Sequence, residues 1–164
     1  MTMIIPGIQP VENCIFCTKA VRDKSFYSTR KFSAIYNLAP ILPGHSLIIP
    51  NTHYESLIEL SDQDLGEMMI FARKVTAVLK TVFNCDGVDW TIQDGVSAGQ
   101  TVTHLHLHII PRKPLDMPES NEWYSKIHES KNQLLDSQQR LRLSDVEYNS
   151  ITQRLAEAVK SVKI

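Results

Sequence analysis

Between His104 and His108 the chain places three of its six histidines, each separated from the next by a leucine. In an extended strand, alternate side chains point to one face and each residue rises about 3.3 Å. The histidines would share a face, Leu105 and Leu107 would take the other, and the outer α-carbons would stand roughly 13 Å apart. A tetrahedral metal holds its ligand nitrogens at about 2 Å, so three rings in this row do not converge on one ion. The leucines suit a buried face. The histidines suit a bound ligand, because a row facing plain solvent needs no imidazole. A second chemical signal is Cys14-Ile15-Phe16-Cys17, which holds two of three cysteines. In a reducing compartment this spacing points to metal or redox chemistry before a structural disulfide.

The elements that must position these residues are legible in outline. Ser33 to Leu38 and His45 to Pro50 read as strands, joined across Pro43-Gly44 by strong turn chemistry. Ser61-Asp62-Gln63-Asp64 resembles a capping box with Asp in place of Glu. It opens a long helix whose Leu65, Met68, Ala72, Val75, Leu79 and Val82 form one apolar stripe. This helix should end near Asn84 to Gly87, with Val88 to Gln93 as the next strand and the histidine strand after it. Residues 112 to 122 read as a surface loop. Trp123 to Gln139 reads as a polar helix. Ser144 to Val162 reads as a terminal helix burying Val146, Ile151, Leu155 and Val159. The expected fold is α+β: an antiparallel sheet of about five strands, one long helix and C-terminal helices.

Composition narrows the function classes. A chain of 164 residues with 43% hydrophobic content suits one domain, with a core over about 14 to 113 and a helical extension over 114 to 164. A formal net charge of −1 gives no electrostatic footprint for nucleic acid or an anionic membrane. No apolar run approaches the roughly 20 residues that a membrane helix requires. The first residues lack a basic segment and break at Pro6, so no signal peptide is expected and the cytoplasm is the default compartment.

Three features then come together: the His-Leu-His-Leu-His run, Gln93-Asp94-Gly95 upstream of it, and Ala98-Gly99-Gln100-Thr101-Val102 leading into it. The arrangement resembles the histidine triad family of nucleotide hydrolases and transferases. Asn37 to Pro50 resembles that family's first hairpin, and the similarity runs from about Cys14 to Lys113. Gln93, together with the glycine-containing loop through Thr101, looks most like the fragile-histidine-triad branch, which hydrolyses diadenosine polyphosphates. The nucleoside phosphoramidase branch more often carries Asn at the position of Gln93.

The resemblance implies roles for particular residues. His106 would be the nucleophile forming a nucleotidyl-histidine intermediate that water resolves to AMP, with His104 and His108 completing the triad. His108 would support the phosphate end. Gln100 and Thr101 would donate to phosphate oxygens, and Gln93 would position the leaving group or the water. Asn37 would hold the ribose, and Phe16, Leu38 and Leu47 would wall the adenine. The chemistry is consistent, since phosphoryl transfer needs a nucleophile that is neutral at physiological pH and donors for the equatorial oxygens. No divalent cation is required, although substrate polyphosphate usually travels with Mg²⁺. Family members form homodimers.

Some relatives hold structural Zn²⁺ through a Cys-x-x-Cys, a histidine after the hairpin and the first triad histidine. Cys14, Cys17, His53 and His104 match those four positions, although the better-known fragile-histidine-triad proteins lack the cysteines. A redox role for the Cys-x-x-Cys is the rival, but such motifs open a helix in a βαβ pattern that is missing here. Two other functions stay open, a nucleoside phosphoramidase or general nucleotidyl hydrolase of the same fold and a non-catalytic nucleotide-binding signalling module, although the intact central histidine argues against a dead site. A purely metal-binding protein leaves the histidine row and Gln93 unexplained.

Overall fold

The computed structural model describes residues 14–116 and 140–162. The expected helix over 123–139 and the two termini lie outside the described residues. β2 (Phe32–Tyr36) and β3 (Ser46–Pro50) are buried at every side chain. Both faces of this hairpin are therefore covered. Ala34, Tyr36 and Ile48 join the main core. Ile35, Leu47 and Ile49 cluster with Phe16 and Val21 instead. The turn ends at Gly44, with φ of +95°, a conformation that glycine adopts without the penalty a Cβ would impose.

The other strands are β1 (Ser25–Ser28), β4 (Gly87–Ile92) and β5 (Leu107–Arg112). All neighbours pair antiparallel in the order β1-β2-β3-β5-β4, the α+β architecture that the pattern predicts. β1 carries no readable signal: it is four residues long, holds two serines and is broken by a bulge between Ser25 and Tyr27.

The long helix α2 spans Asp62–Phe83. Ser61 caps it by accepting the Asp64 N–H at 3.1 Å. The Asp64 carboxylate does not close a capping box. It accepts the Ser61 hydroxyl at 2.9 Å and pairs with Lys31 at 2.6 Å. Asn84 ends the helix in the left-handed region. Met68, Ala72, Val75 and Leu79 are buried as the stripe predicts, and Phe71 and Val78 widen it. These residues pack on one face of the sheet against Leu107 and Ile109 of β5.

The last helix, α3 (Asp145–Ser161), begins with a complete capping box between Ser144 and Glu147. Its buried residues are Tyr148 and Leu155, while Val146 is 78% exposed. The predicted stripe is corrected at Val146 alone, since Ile151 and Val159 pack partly buried against the core. Tyr148 takes the remaining core position, and its O–H donates to the Tyr36 carbonyl at 3.1 Å. Tyr148 and Leu155 belong to the main core, so the expected boundary near 113 does not divide that core. Among the described residues, no helix is long and apolar enough to cross a membrane.

Candidate active site and metal centre

Strand β5 begins at Leu107, later than the alternation predicts. The Leu105 N–H is drawn to Tyr54 O at 2.6 Å and the His104 N–H to Val102 O at 2.7 Å. These bonds satisfy the backbone locally, so residues 103 to 106 approach the sheet without joining its ladder. Leu105 and Leu107 fill the main core as expected. The histidine face is not open to solvent: His104 and His106 are buried and His108 is partly so.

Backbone partners fix the tautomers. His106 Nδ1 lies 2.7 Å from the His104 carbonyl, which can only accept, so Nδ1 carries the proton and Nε2 keeps its lone pair. Burial holds the His106 pKa below its usual value, against the raising effect of that bond. The result is a neutral imidazole with one nitrogen able to attack an electrophile. The ring lies edge-on to Phe16, at a centroid distance of 5.3 Å.

His108 sits opposite Leu47 in the β3–β5 register, on the face carrying Ile35, Leu47 and Ile49. Its partner is His45, which is fully buried after the Pro-Gly turn. The Ile41 N–H donates to His45 Nδ1 at 3.1 Å, so His45 carries its proton on Nε2 and donates to His108 Nδ1 at 2.9 Å. His108 must then be protonated on Nε2, a buried N–H with no hydrogen-bond acceptor among the described residues. Leaving such a donor unsatisfied costs about 1–3 kcal/mol, which marks the place for a ligand oxygen. Burial pushes the His108 pKa down to about 3 and that of His45 well below the usual range. The donor is therefore neutral.

The loop between β4 and the histidines is pinned from both ends. Asp94 accepts the Ser56 hydroxyl at 2.9 Å and the Leu57 N–H at 3.0 Å. Gln100 accepts the Gly95 N–H at 2.8 Å and donates to Glu55 O at 2.9 Å. Both ends of the Gln100 amide are thus engaged inside the protein and the residue is buried. These two bonds make Gln100 an anchor of the loop, and unlike Thr101 it is not among the cavity-lining residues. Gln93 and Thr101 stay on the cavity wall. Gly99 allows this, because a Cβ there would lie 2.9 Å from Gln93 Nε2.

The cavity measures about 620 Å³, within the usual range for a small-molecule site. Asn37, Phe16, Leu38, Leu47, Gln93, Thr101, His106 and His108 all line it. The Asn37 carbonyl oxygen accepts the Ala39 N–H at 2.9 Å, which turns its amide nitrogen toward His45. Lys24, Arg140 and Arg142 also line the cavity, and the sequence reading did not reach them. Arg140 and Arg142 alternate with leucines in a polar stretch, and only the packing of α3 brings them to the histidines.

The HIT domain profile matches residues 18–115. The chain belongs to the HIT family. Its curated relatives include an asymmetrical bis(5'-nucleosyl)-tetraphosphatase of Schizosaccharomyces pombe, 42% identical over 70% of this chain. A bis(5'-adenosyl)-triphosphatase of Dictyostelium discoideum is 37% identical over 67% of it. The chain spans 63% of the first relative's length and 74% of the second's. Among solved structures, a hypothetical histidine triad nucleotide-binding protein from Sulfolobus tokodaii superposes with a TM-score of 0.71. It is 28% identical, covering 90% of this chain and 93% of that one.

Beside the cavity this HIT domain gathers Cys14, Cys17, His53 and His104, with all four ligand atoms within 4.8 Å of one another. His104 Nδ1 lies 3.4 Å from Cys14 Sγ and 3.5 Å from Cys17 Sγ, and His53 Nδ1 lies 3.4 Å from Cys17 Sγ. A tetrahedral zinc with ordinary Zn–S and Zn–N bonds spaces sulfur from nitrogen by about 3.5 Å. His104 Nε2 donates to Pro50 O at 3.0 Å, so its Nδ1 lone pair faces the thiols. That donation is the outer-shell support typical of a metal-bound imidazole. The residues present fit the metal. The triad therefore divides its labour, one ring in this cluster and two at the cavity.

Proposed function

We propose that this HIT domain hydrolyses dinucleoside polyphosphates of the diadenosine tri- or tetraphosphate type at the α-phosphate, releasing AMP. The observation that carries the reading is the fixed tautomer of His106, whose Nε2 lone pair is available at the wall of a nucleotide-sized cavity. The names of the Schizosaccharomyces and Dictyostelium relatives support the substrate class.

In the proposed reaction His106 Nε2 forms a bond to the α-phosphorus as the bond to the bridging oxygen breaks. The departing polyphosphate takes that electron pair. Nδ1–H stays on the His104 carbonyl, which spreads the charge arising on the ring. The free Nε2–H of His108 donates to a phosphate oxygen, and Thr101 faces the same space. Water then bonds to phosphorus as the P–N bond breaks, returning the lone pair to Nε2 and releasing AMP and a proton. One hard displacement becomes two easier ones. Gln93 would orient the leaving group or the water, and Asn37 the ribose. Phe16, Leu38 and Leu47 would wall the base.

Zinc on Cys14, Cys17, His53 and His104 belongs to the same reading. It would supply a closed structural clamp, since four protein ligands leave no position for substrate. Protein purified without chelator should carry about one zinc per chain, and Cys14→Ser with Cys17→Ser should lose it along with thermal stability. Elemental analysis finding no zinc after supplementation would rule the site out. Homodimer assembly and Mg²⁺ accompanying the substrate are proposed with the family reading.

The test is incubation with diadenosine triphosphate, diadenosine tetraphosphate and an adenosine phosphoramidate, with products resolved by chromatography. AMP should appear from the dinucleotides, and His106→Ala should lower the rate by ~10⁴-fold or more while nucleotide binding persists. Rapid phosphoramidate cleavage beside inert dinucleotides would assign the chain to the phosphoramidase branch.

A further inference from the structure

The groups that the histidines offer an α-phosphate are the His106 Nε2, whose ring holds the His104 carbonyl through Nδ1, and the His108 Nε2–H left over by the His45 contact. Cationic groups reach the cavity from elsewhere. The charged side chains lining it are Lys24, Arg140 and Arg142, all positive in a chain whose formal net charge is −1. No carboxylate among the described residues shares that wall.

Their placement is built. The Leu143 N–H donates to the Leu38 carbonyl at 3.0 Å, which fastens the segment before α3 to the loop carrying Asn37. Leu143 also packs against the main core, and the capping box at Ser144 starts α3 immediately afterwards. Lys24 follows α1 (Lys19–Asp23) and sits 5.1 Å over the Tyr148 ring. The positive charge of Arg140 reaches both His108 and His45 and adds to the burial that keeps them neutral. Arg140 lines the same cavity as His106 and His108.

A single phosphoryl group attacked by His106 does not call for three cations. A chain of phosphates carries about one negative charge each, and the guanidinium fork matches phosphate oxygens two at a time. We propose that Arg140, assisted by Arg142 and Lys24, binds the phosphates beyond the α-position and makes the enzyme selective for polyphosphate over single-phosphate substrates. This rests on the reading in which His106 attacks the α-phosphate.

The test compares the full-length protein with Arg140→Gln, Arg142→Gln and Arg140→Lys. Two substrates are used, diadenosine tetraphosphate and an adenosine phosphoramidate. Arg140→Gln should lower the ratio of kcat/KM for the first over the second by roughly 10-fold or more, mainly through KM. Arg142→Gln should lower it less, and Arg140→Lys should restore most of it. The wild-type preference should also shrink as salt is raised.

A parallel arm measures binding of adenosine tetraphosphate and of AMP in the His106→Ala background. Arg140→Gln should weaken the tetraphosphate selectively. Equal losses for both ligands, or none for either, would overturn the proposal. If the wild type cleaves neither substrate, the hydrolase reading falls, and the binding arm alone decides whether these cations recognise polyphosphate. Should Arg140→Gln fail to fold, the exposed Arg142 gives the same comparison.

Discussion

At the scale of single residues, the buried imidazoles have a measurable energetic signature. Burial depresses His108 from 6.5 to about 3 and His45 well below 6.5. In the unfolded chain each ring takes up a proton near 6.5, whereas the folded protein refuses it until far lower pH. The unfolded state therefore binds more protons across that window, and stability falls as pH drops from about 6.5 toward 3, by up to ~1.4 kcal/mol per pH unit for each ring. His108→Asn should reduce the slope, because the amide oxygen still accepts from His45 while one titrating ring is gone. Urea unfolding at pH 7, 6 and 5 measures this, and equal slopes in the two proteins would count against a neutral His108. Residue identities at the site were readable to the extent that sequence motifs hold them. Gln93, Thr101 and His106 stand at the cavity wall where the motif puts them. The Gln100 amide is engaged by Gly95 and Glu55, contacts that no local pattern encodes.

At the scale of elements, two glycines make opposite predictions. Gly44 closes the β2–β3 turn at φ +95°, and a Cβ there would stand 2.6 Å from Pro111 Cγ and 2.9 Å from Phe83 Cδ2. Gly44→Ala should cost roughly 2–4 kcal/mol through the left-handed backbone and the clash together. Gly66 lies inside α2 with nothing within 4 Å of its would-be Cβ. Gly66→Ala should stabilise by about 0.5–1 kcal/mol. Denaturant titration of both variants checks the pair, and a shared sign would refute the argument. The elements with a long, regular period were the legible ones: α2 through its stripe, β2 and β3 through their apolar runs. The start of β5 was not legible, because Tyr54 and Val102 take the backbone bonds that alternation assigns to a ladder. Nor was β1, whose four residues are too few for a period to declare itself.

For the whole molecule, α3 joins the distant end of the chain to the core and to the cavity. Leu155 is fully buried, and Leu155→Ala should cost about 2–5 kcal/mol. The loss should also weaken the hold on Arg140 and Arg142, so differential scanning calorimetry should be paired with KM for diadenosine tetraphosphate. A fall in melting temperature with an unchanged KM would separate the helix from the site. The sheet order has a consequence for how the molecule comes into being. β5 lies between β3 and β4, and its pairing with β3 closes a loop that contains all of α2 and β4. Contacts so distant in sequence repay their closure entropy late and slow the search for the native topology. The β2–β3 hairpin can assemble from neighbouring residues, but His108 reaches Leu47 and His45 only when that long loop shuts. Recovery of activity during refolding should therefore track the slowest cooperative phase, with no catalytically competent intermediate before it.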